Sequence, residues 1–155
     1  MIRGISFEIP NKYGRLLGEI LKPFETDEYN WLVGGEEAYF IVDGQFEETL
    51  FAGAGEIWDG ITLKKLLEDN EYYIIFQDLK AFPQGKDIVE VKTYEEFLNS
   101  DCQLVLLVVD SCFVSIYCKN NKLIEDLFKN AQHRGYDHVR YITDANDTRT
   151  GLSVW

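Results

Sequence analysis

Two histidines, three cysteines and 27 carboxylates are the side chains of this 155-residue chain best suited to acid–base, nucleophilic or metal chemistry. Their spacing matches none of the common arrangements. His133 and His138 stand five apart across Gly135, so they do not share a helix face as the i, i+4 zinc pair of a metalloprotease does. Cys112 and Cys118 have even spacing and read as one face of a strand, where small apolar side chains fill a core. Cys102 has no neighbouring pattern that would activate it as a nucleophile. Asp144 to Thr150 places oxygen side chains at alternating positions, as a calcium loop does. Arg149 takes the sixth position, where the sharp turn needs glycine, and Trp155 the twelfth, where a bidentate glutamate belongs. The run therefore reads as a polar, turn-rich segment. Gly53-Ala54-Gly55 is followed by Trp58 where a dinucleotide fingerprint has its third glycine, and neither a GKS/T phosphate loop nor a G-x-S-x-G elbow occurs. No catalytic residue, metal site, nucleotide site or cofactor is expected.

The carboxylates are more informative as a field. Net charge is −12, and from Pro23 to Leu63 ten acids occur with no Lys or Arg among them. Such a field repels phosphate backbones, which argues against nucleic acid as a partner. A solvated acidic surface that keeps the chain soluble accounts for it. The sharper reading is a contact surface for a basic protein, formed where acids and tryptophans interleave: Trp31, Glu36, Glu37, Asp43, Glu47, Glu48, Trp58 and Asp59. On that reading the chain is a non-catalytic interaction module, of inhibitor or immunity type. The alternative is an enzyme or small-ligand binder whose carboxylates and tyrosines converge in a pocket. The two differ in whether the acids crown a convex face or line a concave one.

The elements that must position these residues follow from periodicity. Ile5, Phe7 and Ile9 alternate as a strand, and Tyr13, Leu16, Leu17, Ile20 and Leu21 form a helical stripe after a capping Asn11. Tyr39 to Val42 and Phe46 to Phe51 read as a hairpin turning at Asp43-Gly44, with Trp31 to Val33 extending its first strand. Thr62 is placed to cap a short helix, and Tyr72 to Phe76 is a buried strand. Residues 80–87 have linker chemistry. Beyond them come a strand at Ile88 to Val91, a helix opened by the capping box Thr93-Tyr94-Glu95-Glu96, and an aliphatic strand from Leu104 to Val109. Its hairpin partner is Cys112 to Cys118. A helix on Leu123, Ile124, Leu127, Phe128 and Ala131 stops at Gly135 before a last strand, Val139 to Ile142.

The expected class is α+β: two successive β-α-β-β-α-β halves in split-βαβ, ferredoxin-like order, with a mixed, mainly antiparallel sheet and helices upon it. A single compact domain spans 1–155, with sub-halves at 1–80 and 87–155. Nothing in the first residues marks the chain for export, no apolar run reaches the roughly 20 residues that span a bilayer, and three cysteines at uneven spacing suit a reducing compartment. A cytoplasmic location with no membrane partner is expected.

The stretches GISFEIPNKYGRLLGEILKPF, WLVGGEEAYFIVDG, LEDNEYYIIFQDLKAFP, TYEEFLNSDCQLVLLVVD and YITDANDTRTGLSVW resemble a family of uncharacterised proteins from Bacillus and relatives, domain of unknown function 2691. The resemblance runs from the opening strand to the terminal tryptophan and implies a bacterial cytoplasmic protein. It carries no activity, cofactor or catalytic residue.

Overall fold

Alternation of apolar and polar residues builds one antiparallel sheet whose two faces are covered differently. The computed structural model describes residues 1–52 and 55–154, with the backbone alone at Glu36. Gly53, Ala54 and Trp155, which bear on the dinucleotide-fingerprint and calcium-loop readings above, lie outside the described residues.

β1 (Ile2–Glu8) is followed by α1 (Leu16–Ile20), shorter than its stripe predicts. Gly14 exchanges backbone hydrogen bonds with Tyr72 at 3.0 and 3.2 Å, which leaves Tyr13 in a bend outside the helix. Asn11 therefore does not cap the helix; its Oδ1 accepts the Tyr73 hydroxyl.

The two strand segments expected around Gly34-Gly35 are one, β2 (Tyr29–Val42), with bulges at Gly34–Ala38 that let 14 residues follow the twist. Asp43 and Gly44 turn the chain at φ +52° and +74°, the pair of left-handed residues a two-residue hairpin requires, into β3 (Gln45–Thr49). A strand not expected from the sequence, β4 (Glu56–Asp59), leads into α2 (Gly60–Asp69). Asp59 caps α2 in place of Thr62, accepting from the Thr62 amide at 3.1 Å and from its hydroxyl at 3.0 Å.

β5 (Tyr72–Pro83) then runs through the first half of the expected linker. Ile88 to Val91 is not a strand; only Val91 is buried there. α3 (Tyr94–Asn99) starts at the expected Thr93 cap, whose hydroxyl accepts from the Glu96 amide at 3.1 Å. β6 (Leu104–Val109), β7 (Phe113–Cys118), α4 (Asn121–His133) and β8 (Asp137–Thr143) complete the chain. Gly135, at φ +78°, ends α4: its amide binds the Gln132 carbonyl and that of Tyr136 binds Ala131, a Schellman stop.

Among the described residues the sheet holds eight strands in the order β3-β2-β5-β6-β7-β1-β8, with β4 beside β3 on the same side of β2. Every pairing is antiparallel. The class is α+β, as expected, but the split order is not repeated intact. The first half carries an extra strand, the second lacks its opening one, and β1 lies between β7 and β8.

One face packs under α1, α2 and α4 through Leu17, Ile20, Leu63, Leu67, Ile124 and Leu127. The opposite face has a smaller core around Phe82, Phe97, Val105, Leu107, Tyr117 and Leu152, covered by α3 and the C-terminal segment. β6 feeds both: Leu104, Leu106 and Val108 face the helices, while Val105 and Leu107 face the other way. That two-sided burial is why its sequence reads as an unbroken aliphatic run.

Cysteine placement differs from the expectation in one respect. Cys118 is buried on β7, but Cys112 precedes that strand and is half-exposed. Cys102 is fully buried, its thiol donates to the Leu104 carbonyl, and burial pushes its pKa up to about 12. Burial also raises the Cys118 thiol. A chromogenic thiol reagent should therefore label Cys112 first in the native chain and reach Cys102 and Cys118 only on unfolding. Simultaneous release from all three would contradict this packing.

Candidate functional site

Backbone pairing brings together rings that lie far apart in sequence. Tyr39 on β2 is directly opposite Tyr73 on β5, and Ile41 is opposite Phe46 on β3. Their neighbours Ala38, Ile74 and Tyr72 face the helices, so alternation turns Tyr39 and Tyr73 to the other face. Phe46 stacks on Tyr39 (centroids 5.8 Å, planes 8° apart) and on Tyr73 (5.7 Å, 26°). Tyr13 closes the group edge-on to both Phe46 (5.8 Å) and Tyr73 (5.7 Å). Phe46 keeps 51% of its surface exposed and Tyr13 44%, against the burial usual for such rings. Asn11, Lys12, Tyr13, Phe46 and Tyr73 line a shallow recess of about 530 Å³ beside them.

The hairpin that carries Phe46 also carries carboxylates. Asp43 sits at its exposed tip, and Glu47 and Glu48 are exposed on β3, the last strand at this end of the sheet. All five residues of β3 are exposed, and only its β2 side is paired among the described residues. Glu37 is half-buried on β2, opposite Phe76. Among the described residues no Lys or Arg comes within 4 Å of a carboxylate of the Pro23–Leu63 segment. Lys119 instead binds the Ser100 carbonyl, Lys122 pairs with Asp126, and Arg140 contacts Ser6. Where two acids of the segment meet, the charge is felt: a hydrogen bond with Glu25, and Glu25's charge, raise the Glu28 carboxyl above its usual range.

The structure separates the remaining residues expected in the patch. Trp31 is 0% exposed; its indole N–H donates to the Thr26 carbonyl at 3.0 Å and its ring meets Phe24 edge-on at 5.7 Å. Trp58 is its register partner across β2 and β4, half-buried on the helix side and T-shaped against Phe51 at 5.3 Å. Asp59 is occupied as the α2 cap, and the Thr62 amide holds its carboxyl below the usual range. The Glu36 side chain lies outside the described residues. Asp43, Glu47 and Glu48 therefore stay on one exposed hairpin, next to rings that no linear spacing connects.

Other candidate chemistry is dispersed. His133 ends α4, while His138 stands on β8 with Nδ1 2.7 Å from Glu8. Asp144 and Asp147 are bound by Arg3 at 2.8 and 3.0 Å, and the Arg3 contact holds the Asp144 carboxyl below its usual range. No helix among the described residues is long and apolar enough to cross a membrane.

No solved structure matches the chain. It is similar to the uncharacterized protein YncE of Bacillus subtilis (strain 168), 49% identical over 154 residues, covering 99% of this chain and all of the relative. A family model matches residues 2–153, and the chain belongs to that family, described as a protein of unknown function (DUF2691).

Proposed function

We propose that the protein is a non-catalytic interaction module of the cytoplasm whose β3 edge and adjoining rings receive an extended, basic segment of a partner protein. The observation that carries this reading is the exposed Phe46 cluster beside an open strand edge with unpaired carboxylates. An unpaired edge offers backbone donors and acceptors to an added strand. The rings attract lysine and arginine through their negative faces, and the acids steer a basic segment at long range. The same carboxylates disfavour a second copy of this chain, since β3 against β3 would set Glu47 and Glu48 beside like charges. They repel nucleic acid for the same reason. Among the described residues none of the acids from Pro23 to Leu63 lines the recess beside Phe46 or the cleft of about 850 Å³ at the other end of the sheet, which separates this reading from an acidic pocket.

The test uses a synthetic peptide alternating lysine and valine. Its association rate with the full chain should fall steeply with added salt as the Debye length shrinks from about 30 to about 3 Å. Asp43→Lys/Glu47→Lys/Glu48→Lys should slow association at least about tenfold, because each exposed charge adds to the steering field. Stability should change by no more than about 1 kcal/mol per site. Phe46→Ala should speed dissociation instead. Equal binding to the charge-reversed chain, or indifference to salt, defeats the proposal.

A further inference from the structure

At the far end of the sheet the face opposite α4 carries polar side chains. After β8 the chain folds back across this face. The Asp144 amide binds the Met1 carbonyl, and the Leu152 amide binds Lys92 at 2.8 Å with its side chain buried in the smaller core. Between this strap and the sheet lies a cleft of about 850 Å³. Its floor includes Ser6 and Glu8 on β1, Ser115 on β7, and His138 and Arg140 on β8; Thr148, Arg149 and Thr150 form the strap's side.

The strap is held by its own carboxylates. Arg3 binds Asp144 and Asp147 together and lies 4.0 Å over the Tyr94 ring, while the Tyr117 hydroxyl donates to Asp147 at 3.1 Å. Those two acids are thus neutralised by a residue outside the cleft lining. Glu8, the remaining acid of the lining, is engaged with His138 at 2.7 Å.

The two arginines of the lining are not satisfied in this way. Among the described residues the Arg140 guanidinium reaches the Ser6 hydroxyl at 3.4 Å, and that of Arg149 reaches the Gly151 and Ser153 carbonyls at 3.5 Å, the outer limit of a hydrogen bond. Neither guanidinium has a carboxylate within 4 Å among the described residues, although the Arg149 backbone amide donates to Asp147 at 3.1 Å. The backbone at the rim is irregular as well. The β1–β8 register shifts between Ser6 and Glu8, and His138 takes φ +55°, which side-chain-bearing residues seldom adopt. A bulge of this kind re-aims the side chains around it and recurs beside binding sites.

We infer that this cleft binds a small organic anion, its phosphate or carboxylate group gripped by Arg140 and Arg149 and by the hydroxyls of Ser6, Ser115, Thr148 and Thr150. A planar guanidinium with free N–H groups matches either oxyanion in a two-pronged fashion. The charge of −12 repels anions from most of the surface, so affinity for one would have to come from the two guanidinium groups of this concave wall. The exposed Phe113 ring at the cleft's end offers an apolar surface to the body of the ligand.

Pyrophosphate and citrate, titrated separately into the full chain by calorimetry, test this and separate the two oxyanion types. Saturable binding of either supports the inference, and the one preferred names the head group. Arg140→Gln and Arg149→Gln should each weaken that binding about tenfold or more, since hydrogen bonds to charged groups are the strong ones. Arg140→Lys, which keeps the charge and loses the fork, should lie between. Glu8→Gln should strengthen binding by removing a repelling charge. Glu47→Lys at the distant β3 edge should leave it unchanged, which keeps this result independent of the interaction proposed there. Binding of neither anion, or equal binding to wild type and both arginine variants, overturns the inference.

Discussion

Trp31→Ala is expected to lower the unfolding free energy by about 3–5 kcal/mol, the cost of deleting a buried large aromatic ring. The indole has no exposed surface, is wedged edge-on against Phe24, and lies beside its cross-strand partner Trp58. Its N–H donates to the carbonyl of Thr26, itself buried in the 3-10 turn Thr26–Glu28 that precedes β2. Alanine would leave a ring-sized cavity where β2, that turn and α2 meet. Phenylalanine keeps most of the volume but loses the donor, so Trp31→Phe should cost less, about 1–3 kcal/mol. Urea titration of the three chains gives the comparison directly. If Trp31→Ala left stability intact and abolished binding of the basic peptide, tryptophan would return to the contact surface and the burial described above would be wrong.

That residue marks the boundary of what the sequence shows. Features fixed within a few residues are legible: the Thr93 cap with Glu96, the Asp43-Gly44 turn and the Gly135 stop after an apolar stripe each have a local cause, and each forms. Where two local signals compete, the sequence does not choose. Asp59 and Thr62 are both good caps, and Asp59 prevails because β4 delivers it in extended conformation, φ −65° and ψ 137°, to the start of α2. Tyr13 fits a helical stripe, yet the Gly14–Tyr72 bridge keeps it out of the helix.

The site is still less legible. Tyr13, Tyr39, Phe46 and Tyr73 span 60 positions and meet because β2 pairs with both β3 and β5 and because Gly14 bridges to Tyr72. The acids of the patch are visible in the sequence as an uninterrupted charge run. The tryptophans beside them misplace its aromatic half, since the bulges between Gly34 and Ala38 reverse the alternation along β2, so that Trp31 faces the helices and Tyr39 the other side.

The linker reading fails at Lys80, and its failure yields a second large effect. Asp78 and Lys80 lie two apart on β5, on the face away from the helices, where their register partners are Leu107 and Val105 of the smaller core. Both are buried, with Nζ 3.2 Å from the Asp78 carboxylate. Gly34 makes room for that carboxylate, because a Cβ there would stand 2.4 Å from its Oδ1. Sequence reading takes a lysine before Ala-Phe-Pro as solvated; the fold instead lets two opposite charges enter together. Such a pair is weak support for stability when whole, since desolvation offsets most of the attraction, but halving it strands a charge. Lys80→Met and Asp78→Ala should therefore each cost about 3–5 kcal/mol. Asp78→Asn/Lys80→Met, which removes both charges and keeps the volume, should cost far less than the sum of its parts. The pair also opposes a register slip, because moving β5 by one residue would drive both charges into the helix-side core. A double-mutant cycle from chemical denaturation measures the coupling. Single substitutions costing under about 1 kcal/mol, as exposed ion pairs do, would show that water reaches the pair and that burial is not what binds it.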